Sequence, residues 1–308
     1  MKQTPDILAL GEAMMEFVRT DTDEEGRPLY RQGFGGDTSN AIIAAARQGA
    51  CTGYLSAVGG DPFGKALLEL WEREGVSSAS VRVKPQDPTG SYFVIPDPAG
   101  RQFSYARRGS AASLFGPKDL DEAAIAEAKI LHVSALSQAI SPSMRAAVTR
   151  AAEVAKENGT LVSYDTNLRL NLWTLEDARE TIAAFMPLAD IVLPSDDEAE
   201  AITGQTNEAA LLDYFGAYDP QVLVLKRGAK GPLLRTKQGD QSFSVPTVEA
   251  VDSTGAGDSF AGGFLAYFLE TGDAAVATRR AMSVAAGTVS GFGAVDPIPH
   301  RADIVQNT

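Results

Sequence analysis

The sequence has one cysteine, two histidines and no long apolar run, and each shortage closes off a class of function. With Cys51 alone, no disulfide can form within the chain, which favours a reducing compartment. His132 and His300 are isolated from each other and from Cys51, so a zinc site of the usual Cys/His kind has no ligand cluster. No stretch reaches the ~18 apolar residues that a membrane span needs. Asp6 and Glu12 interrupt the first apolar residues, which is unlike a signal peptide, and a cytoplasmic protein is expected. Positive charge is also scarce. Lys and Arg number 27 against 40 Asp and Glu, a net charge of −13, which argues against nonspecific nucleic-acid binding. In so acidic a shell, an anionic substrate must be met by cations placed for it.

What is present fits a soluble enzyme-sized chain of 308 residues, 44% hydrophobic, best read as one sizeable domain with an appendage. Short apolar runs ("DILALG", "GYLSAVG", "KILHVSAL", "TLVSYDT", "ADIVLPS", "QVLVLKRG") alternate with helical patterns ("TSNAIIAAARQGA", "DPFGKALLELWEREGV", "SPSMRAAVTRAAEVAKENG", "TLEDARETIAAFMPL"). That rhythm predicts an α/β fold: βαβ units, a mostly parallel central sheet and helices on both faces. Asp61 followed by Pro62 suits an N-cap and first helical position, and Gly75 suits the end of that helix. Residues 16–34 and 89–109 break the rhythm. Both alternate aromatic and polar residues around Gly/Pro turns, "PDPAGR" among them, and read as hairpins that pair into one small sheet, a lid. The alternative is two unrelated surface hairpins. Trp71, Trp173, Met14 and Met15 read as packing residues, and His132, flanked by apolar strand residues, as core.

In an open α/β sheet, ligands bind beyond the carboxyl ends of the strands. The segments there are Gly11-Glu12, "SAL", "DTNLR", "PSDDE", "KRGAKG" and "DSTGAGDSF", the last spanning residues 252–260. In that last segment Gly255 and Gly257 allow a sharp turn, and the first amides of the following helix suit an anion such as a phosphoryl group. Asp258 in the first helical turn would repel a bound phosphate but makes sense as a base toward a hydroxyl attacking phosphorus. The alternative is a plain helix-start carboxylate favoured by the helix dipole; local spacing does not choose. The phosphate loop Gly-x4-Gly-Lys-Ser/Thr, the protein-kinase His-Arg-Asp and a dinucleotide-type Gly-x-Gly-x-x-Gly after the first strand are all absent.

"DSTGAGDSFAGGF" resembles the C-terminal signature of the ribokinase-like (PfkB) sugar kinases, and "GFGGDTSNAIIAAARQGA" resembles their N-terminal Gly-Gly signature. The likeness runs along nearly the whole chain. It implies a three-layer α/β/α fold with residues 1–11, 36–88 and 110–308 as core and 12–35 and 89–109 as a discontinuous β lid, which in that family often makes the contact of a homo-oligomer. It implies ATP and Mg2+ as partners of a small-molecule substrate. Asp258 would be the catalytic base, and the amides of Gly255, Ala256 and Gly257 the anion hole. Within the family the chain most resembles 2-keto-3-deoxygluconate kinases, through "RQGFGGDTSN", "SYARRGSAA", "LHVSALSQAISP", "DTNLRLNLW" and "LKRGAKG". On that likeness Gly35, Gly36 and Asn40 would bind the sugar hydroxyls with Asp37 nearby. Tyr92 and Tyr105 would reach in from the lid, and Arg107 and Arg169 would meet the substrate. Ser195, Lys226, Arg227, Gly228 and Gly231 would lie along the nucleotide, with Ala285, Ala286 and Ser290 near its base. Glu198 would organise Mg2+ through water. Asp252 and Thr254 match positions that in some relatives bind a monovalent cation such as K+. Ser195 departs from the family's Asn-x-x-Glu motif.

The residues bear on the substrate independently. A neutral hexose needs hydroxyl partners, whereas a sugar acid carries a carboxylate that a guanidinium recognises in bidentate fashion. Arg107 at the end of a lid hairpin and Arg169 past "LVSYD" both fall at the expected cleft. The plainer alternatives are a solvated Arg107–Arg108 pair and an Arg169 that serves a structural acid such as Asp165. Rival functions are a fructokinase or other neutral-sugar kinase, a nucleoside kinase, or a non-catalytic sugar-acid binder.

Overall fold

The computed structural model describes residues 4–97, 100–245 and 248–305. Among these, ten strands form the main sheet. Strand Ile7–Leu10 lies near its middle, parallel to Thr52–Gly59 on one side and to Ile130–Ser134 on the other. Leu161–Asp165, Ile191–Val192 and Val222–Leu225 extend the parallel array. These strands are apolar runs rather than alternating ones because helices cover both faces. The side-chain period of two then splits each strand between two cores. Leu8 and Leu10 join Val133, Tyr164 and Met144 on one face, while Ile7 and Ala9 join Tyr54, Phe264 and Leu265 on the other.

Two elements differ from the expectation. "KILHVSAL" is a strand only to Ser134, whose side chain caps a short helix, Ala135–Ile140, by accepting from the Ser137 amide at 3.1 Å. Strands Leu233–Thr236 and Gly239–Ser242 add an antiparallel edge that the sequence reading did not contain. The exposed "GDQS" strand has no apolar face to mark it. The cap at Asp61 is as expected: its carboxylate accepts from the Gly64 amide at 2.8 Å, with Pro62 opening the helix. His132 is buried, with Nδ1 3.1 Å from Ser163 Oγ, and burial lowers its pKa to about 4, so the ring is neutral. Trp71 is fully buried and donates to Ser39 Oγ at 2.9 Å.

Residues from the two irregular segments build a second sheet. Its order is Pro28–Gly35, Met14–Thr22, Ser91–Asp97, Gly100–Ala106. Each hairpin is antiparallel, and the parallel pairing of Met15–Val18 with Ser91–Val94 joins them. In the turn expected at 96–101, residues 98 and 99 lie outside the described residues.

Arg47, at the end of helix Asp37–Arg47, ties the C-terminal loop to the core. It donates to Glu74 at 2.8 and 3.0 Å and to the carbonyls of Val295 and Ile298 at 2.9 and 2.5 Å. Both side chains of the ion pair are only 9% exposed. Arg47→Met is therefore expected to cost about 3–5 kcal/mol, because Glu74 keeps its desolvation and loses its hydrogen-bonded partner, leaving only Arg73 at 3.8 Å. Urea unfolding checks this, and a loss under about 1 kcal/mol, the level of an exposed pair, would refute it.

Candidate active site

The chain leaves strand Ile7–Leu10 for Thr52–Gly59 on one side and later returns to Ile130–Ser134 on the other. A reversal of strand order opens a crevice beyond the carboxyl ends. Two helix N-termini meet there, those of Asp37–Arg47 and Ala256–Thr271. Asn40 Nδ2 from the first donates to Asp258 Oδ2 from the second at 2.8 Å. Gly255 caps the second helix at φ +76°, and a Cβ there would lie 2.9 Å from the Ala294 carbonyl, so the turn accepts only glycine. Of the three anion-hole amides expected, that of Ala256 turns back to Ser253 O at 3.2 Å. Asp258 is pushed up to about 7, first by burial and then by the Asp37 carboxylate, with Asp165 adding to the rise and the Asn40 bond and Arg169 opposing it. A carboxylate with that affinity for a proton is suited to general-base work near neutrality.

Around Asp258 lie polar groups whose capacity is not used. Asp37 Oδ1 and Asn40 Oδ1 are buried and have no hydrogen-bond partner among the described residues. Buried acceptors are costly unless something bonds them, and a substrate hydroxyl is the kind of donor that fits. Asn167 Nδ2 holds the other Asp37 oxygen at 2.8 Å. Asn167 takes a positive φ of 23°, which a short amide side chain tolerates. The sequence reading covered "DTNLR" but did not single out Asn167; its position just past a strand end was the available signal.

Gly35 and Gly36 work by absence. A side chain on Gly35 would collide with the Tyr92 hydroxyl, and one on Gly36, at φ +127°, with the Glu12 carbonyl. Tyr92 donates to Glu16 Oε1 at 2.8 Å, so its hydroxyl has an internal partner, and Tyr105 stacks on it at 5.7 Å between centroids. Arg107 is likewise engaged. Its Nε donates to Glu12 Oε2 at 2.8 Å, its Nη2 pairs with the same carboxylate, and its guanidinium lies 5.3 Å over the Tyr105 ring. Burial raises the Glu12 pKa and Arg107 opposes that rise. Neither Glu12 nor Glu16 was singled out from sequence as a partner. Arg169 is half exposed and loosely held, donating to Leu168 O at 2.8 Å and reaching Glu198 at 3.4 Å. Asp165 does not take Arg169; it pairs with Lys226 at 2.6 Å.

On the other flank, Ser195 stands at the N-cap of helix Asp196–Thr203, and its amide donates to Glu198 Oε2 at 3.4 Å. Thr166 Oγ1 donates to Glu198 Oε2 at 2.8 Å. Gly228 opens a short 3-10 turn ending before Gly231, and Arg227 clamps that loop through Gly231 O at 2.7 Å and Glu208 at 2.6 Å. Ala285 and Ala286 lie on helix Ala274–Val289, and Ser290 Oγ donates back to Ala286 O at 2.9 Å. Asp252 is buried. Its Oδ1 accepts from Thr254 N and Oγ1 at 3.0 and 2.7 Å and its Oδ2 from Gly293 N at 3.1 Å. Among the described residues, no group of three or more His, Cys, Asp or Glu converges as for a metal ion.

The family model of "pfkB family carbohydrate kinase" matches residues 4–301. The chain is 32% identical to "Probable fructokinase-4" of Arabidopsis thaliana, with 97% of this chain and 95% of that one covered. It is 31% identical to "2-dehydro-3-deoxygluconokinase" of Thermoproteus tenax, with 96% and 93% covered. Its fold superposes with a TM-score of 0.86 on a fructokinase double mutant from Vibrio cholerae O395, solved with fructose, ADP and a potassium ion; that protein is 25% identical over 99% of both chains. The fold is ribokinase-like, and the chain belongs to the pfkB family of carbohydrate kinases.

Proposed function

We propose that this carbohydrate kinase transfers the γ-phosphoryl group of ATP to the terminal hydroxyl of 2-dehydro-3-deoxy-D-gluconate, giving its 6-phosphate. The observation that carries the choice of a sugar acid is Arg169. It is a half-exposed guanidinium at the crevice, near enough to Asp258 to act on its pKa and held by Glu198 only at 3.4 Å. In a chain of net charge −13 such a cation suits a substrate carboxylate. Arg107 would contribute by sharing its guanidinium between Glu12 and the substrate. Gly35, Gly36 and Asn40 frame the sugar, with Asp37 accepting from its hydroxyls and Tyr92 and Tyr105 walling it from the small sheet.

Asp258 takes the hydroxyl proton as that oxygen attacks phosphorus, and the amides of Gly255 and Gly257 face the charge on the moving group, while that of Ala256 stays on Ser253 O. Ser195, Lys226, Gly228, Gly231, Ala285 and Ser290 line the nucleotide. Glu198 would hold Mg2+ through water. That ion would supply charge neutralisation on the phosphates. Asp252 and Thr254 offer hard oxygens of the kind K+ takes. The small sheet closes as a lid to exclude water, and its exposed Leu29, Tyr30 and Phe103 supply the contact of a homo-oligomer. The reaction would run in the cytoplasm, where ATP is supplied.

A fructokinase is the second reading, favoured by the engagement of Arg107 with Glu12, which takes one of the two expected cations into an internal pair. Coupled ADP-release assays with 2-dehydro-3-deoxy-D-gluconate and fructose decide. The acid should be the better substrate, and Arg169→Leu should raise its KM about 10- to 100-fold, the worth of a charge-assisted bond. An unchanged KM for the acid, or a wild type that prefers fructose, would overturn the sugar-acid reading.

A further inference from the structure

Lys226 does more than its place along the nucleotide requires. It follows strand Val222–Leu225, is 13% exposed, and donates to Asp165 Oδ2 at 2.6 Å, its one side-chain hydrogen bond among the described residues. Its Nζ stands against the Gly-Ala-Gly turn: a Cβ built on Gly257 would lie 3.5 Å from it. The site gathers four carboxylates, Asp37, Asp165, Glu198 and Asp258, three of which act electrostatically on Lys226. Desolvation works against its charge, but Asp165, Glu198 and Asp258 outweigh it and keep the ammonium protonated. An ammonium has three donors, so it can accept a second anionic partner without releasing Asp165. A phosphoryl group entering beside Gly257 would meet the helix amides and this ammonium together, in a crevice that otherwise repels it.

We propose that Lys226 is a catalytic residue that holds the transferring phosphoryl group against the Gly255–Gly257 turn, with Asp165 keeping it oriented before the nucleotide arrives. This rests on the kinase reading. In the step, the sugar oxygen bonds to the γ-phosphorus and the bond from that phosphorus to the β,γ-bridging oxygen breaks. The electron pair leaves with ADP, the hydroxyl proton goes to Asp258, and Lys226 keeps its own proton throughout. Its charge is needed most where the γ-phosphoryl oxygens are, and little at the base or ribose.

The test compares wild type, Lys226→Met, Lys226→Arg and the double variant Lys226→Met/Asp165→Asn, which removes the carboxylate left unpaired by the first. Calorimetry measures binding of ADP and of the β,γ-imido analogue of ATP, both with Mg2+, and ADP release measures kcat. Both Met variants should bind the ATP analogue at least 10-fold more weakly while ADP affinity changes less than 3-fold, and kcat should fall about 100-fold or more, as for loss of one preorganised charge-stabilising group. Lys226→Arg should recover part of both. Equal weakening of ADP and the analogue, or near-native kcat in the double variant, would overturn the proposal. A wild type that transfers no phosphoryl group to any sugar or sugar acid would instead count against the kinase reading, and the two binding constants would still decide Lys226.

Discussion

Asp258→Asn is expected to lower kcat about 100- to 10,000-fold while sugar affinity changes little. The side chain is isosteric, and Asn40 and the helix start that position it are untouched. What is lost is the ability to take a proton. Wild-type kcat/KM should fall as pH drops below about 7, because burial and Asp37 raise the Asp258 pKa to about 7 and the base must be ionised to act. The same shift has a stability consequence with a definite sign. A carboxylate whose folded pKa lies above its ordinary value of 3.8 contributes stability that is complete below that value and lost as pH rises through about 7. Asp258→Asn should therefore raise Tm at pH 8 and change it less at pH 5. Near-native turnover in the variant, or a pH profile flat from 6 to 8, would remove Asp258 from the role of base.

Gly255→Val is expected to lower kcat about 100- to 1,000-fold, the scale of losing one preorganised anion-hole donor. Gly255 sits at φ +76°, and any Cβ there presses on the Ala294 carbonyl at 2.9 Å, so a β-branched residue must swing the turn away and carry the amides with it. Gly272, at the far end of the same helix, has a similar φ of +66° but open space around it. Gly272→Ala should cost about 1 kcal/mol of stability from backbone strain and leave kcat unchanged. The pair separates backbone strain in general from displacement of this one turn. Equal effects on kcat at the two ends would mean that the turn has no special part in the chemistry.

Much of the architecture was legible because it depends on local pattern. Continuous apolar strands between amphipathic helices announce a covered parallel sheet, and Asp61-Pro62 announces a helix start whose side chain does cap it. The antiparallel edge at 233–242 was not legible, since an exposed strand carries no burial pattern to read. The candidate residues divide in the same way. Asp258 and its glycine turn could be singled out because a turn, a helix start and a carboxylate lie within a few positions. Glu12 could not be paired with Arg107, nor Asp165 with Lys226, because those partners are 95 and 61 residues apart.

The sequence by itself therefore determined the α/β class, most of the strands and helices of the core, and the glycine turn ahead of Asp258, all of which follow from neighbours along the chain. Only the tertiary structure decided which charges are engaged: Arg107 taken up by Glu12, Lys226 held against the turn by Asp165, and Arg169 left half open to the cleft. Burial and ion pairing are properties of space, and two arginines that look alike in sequence differ once one of them faces a buried carboxylate.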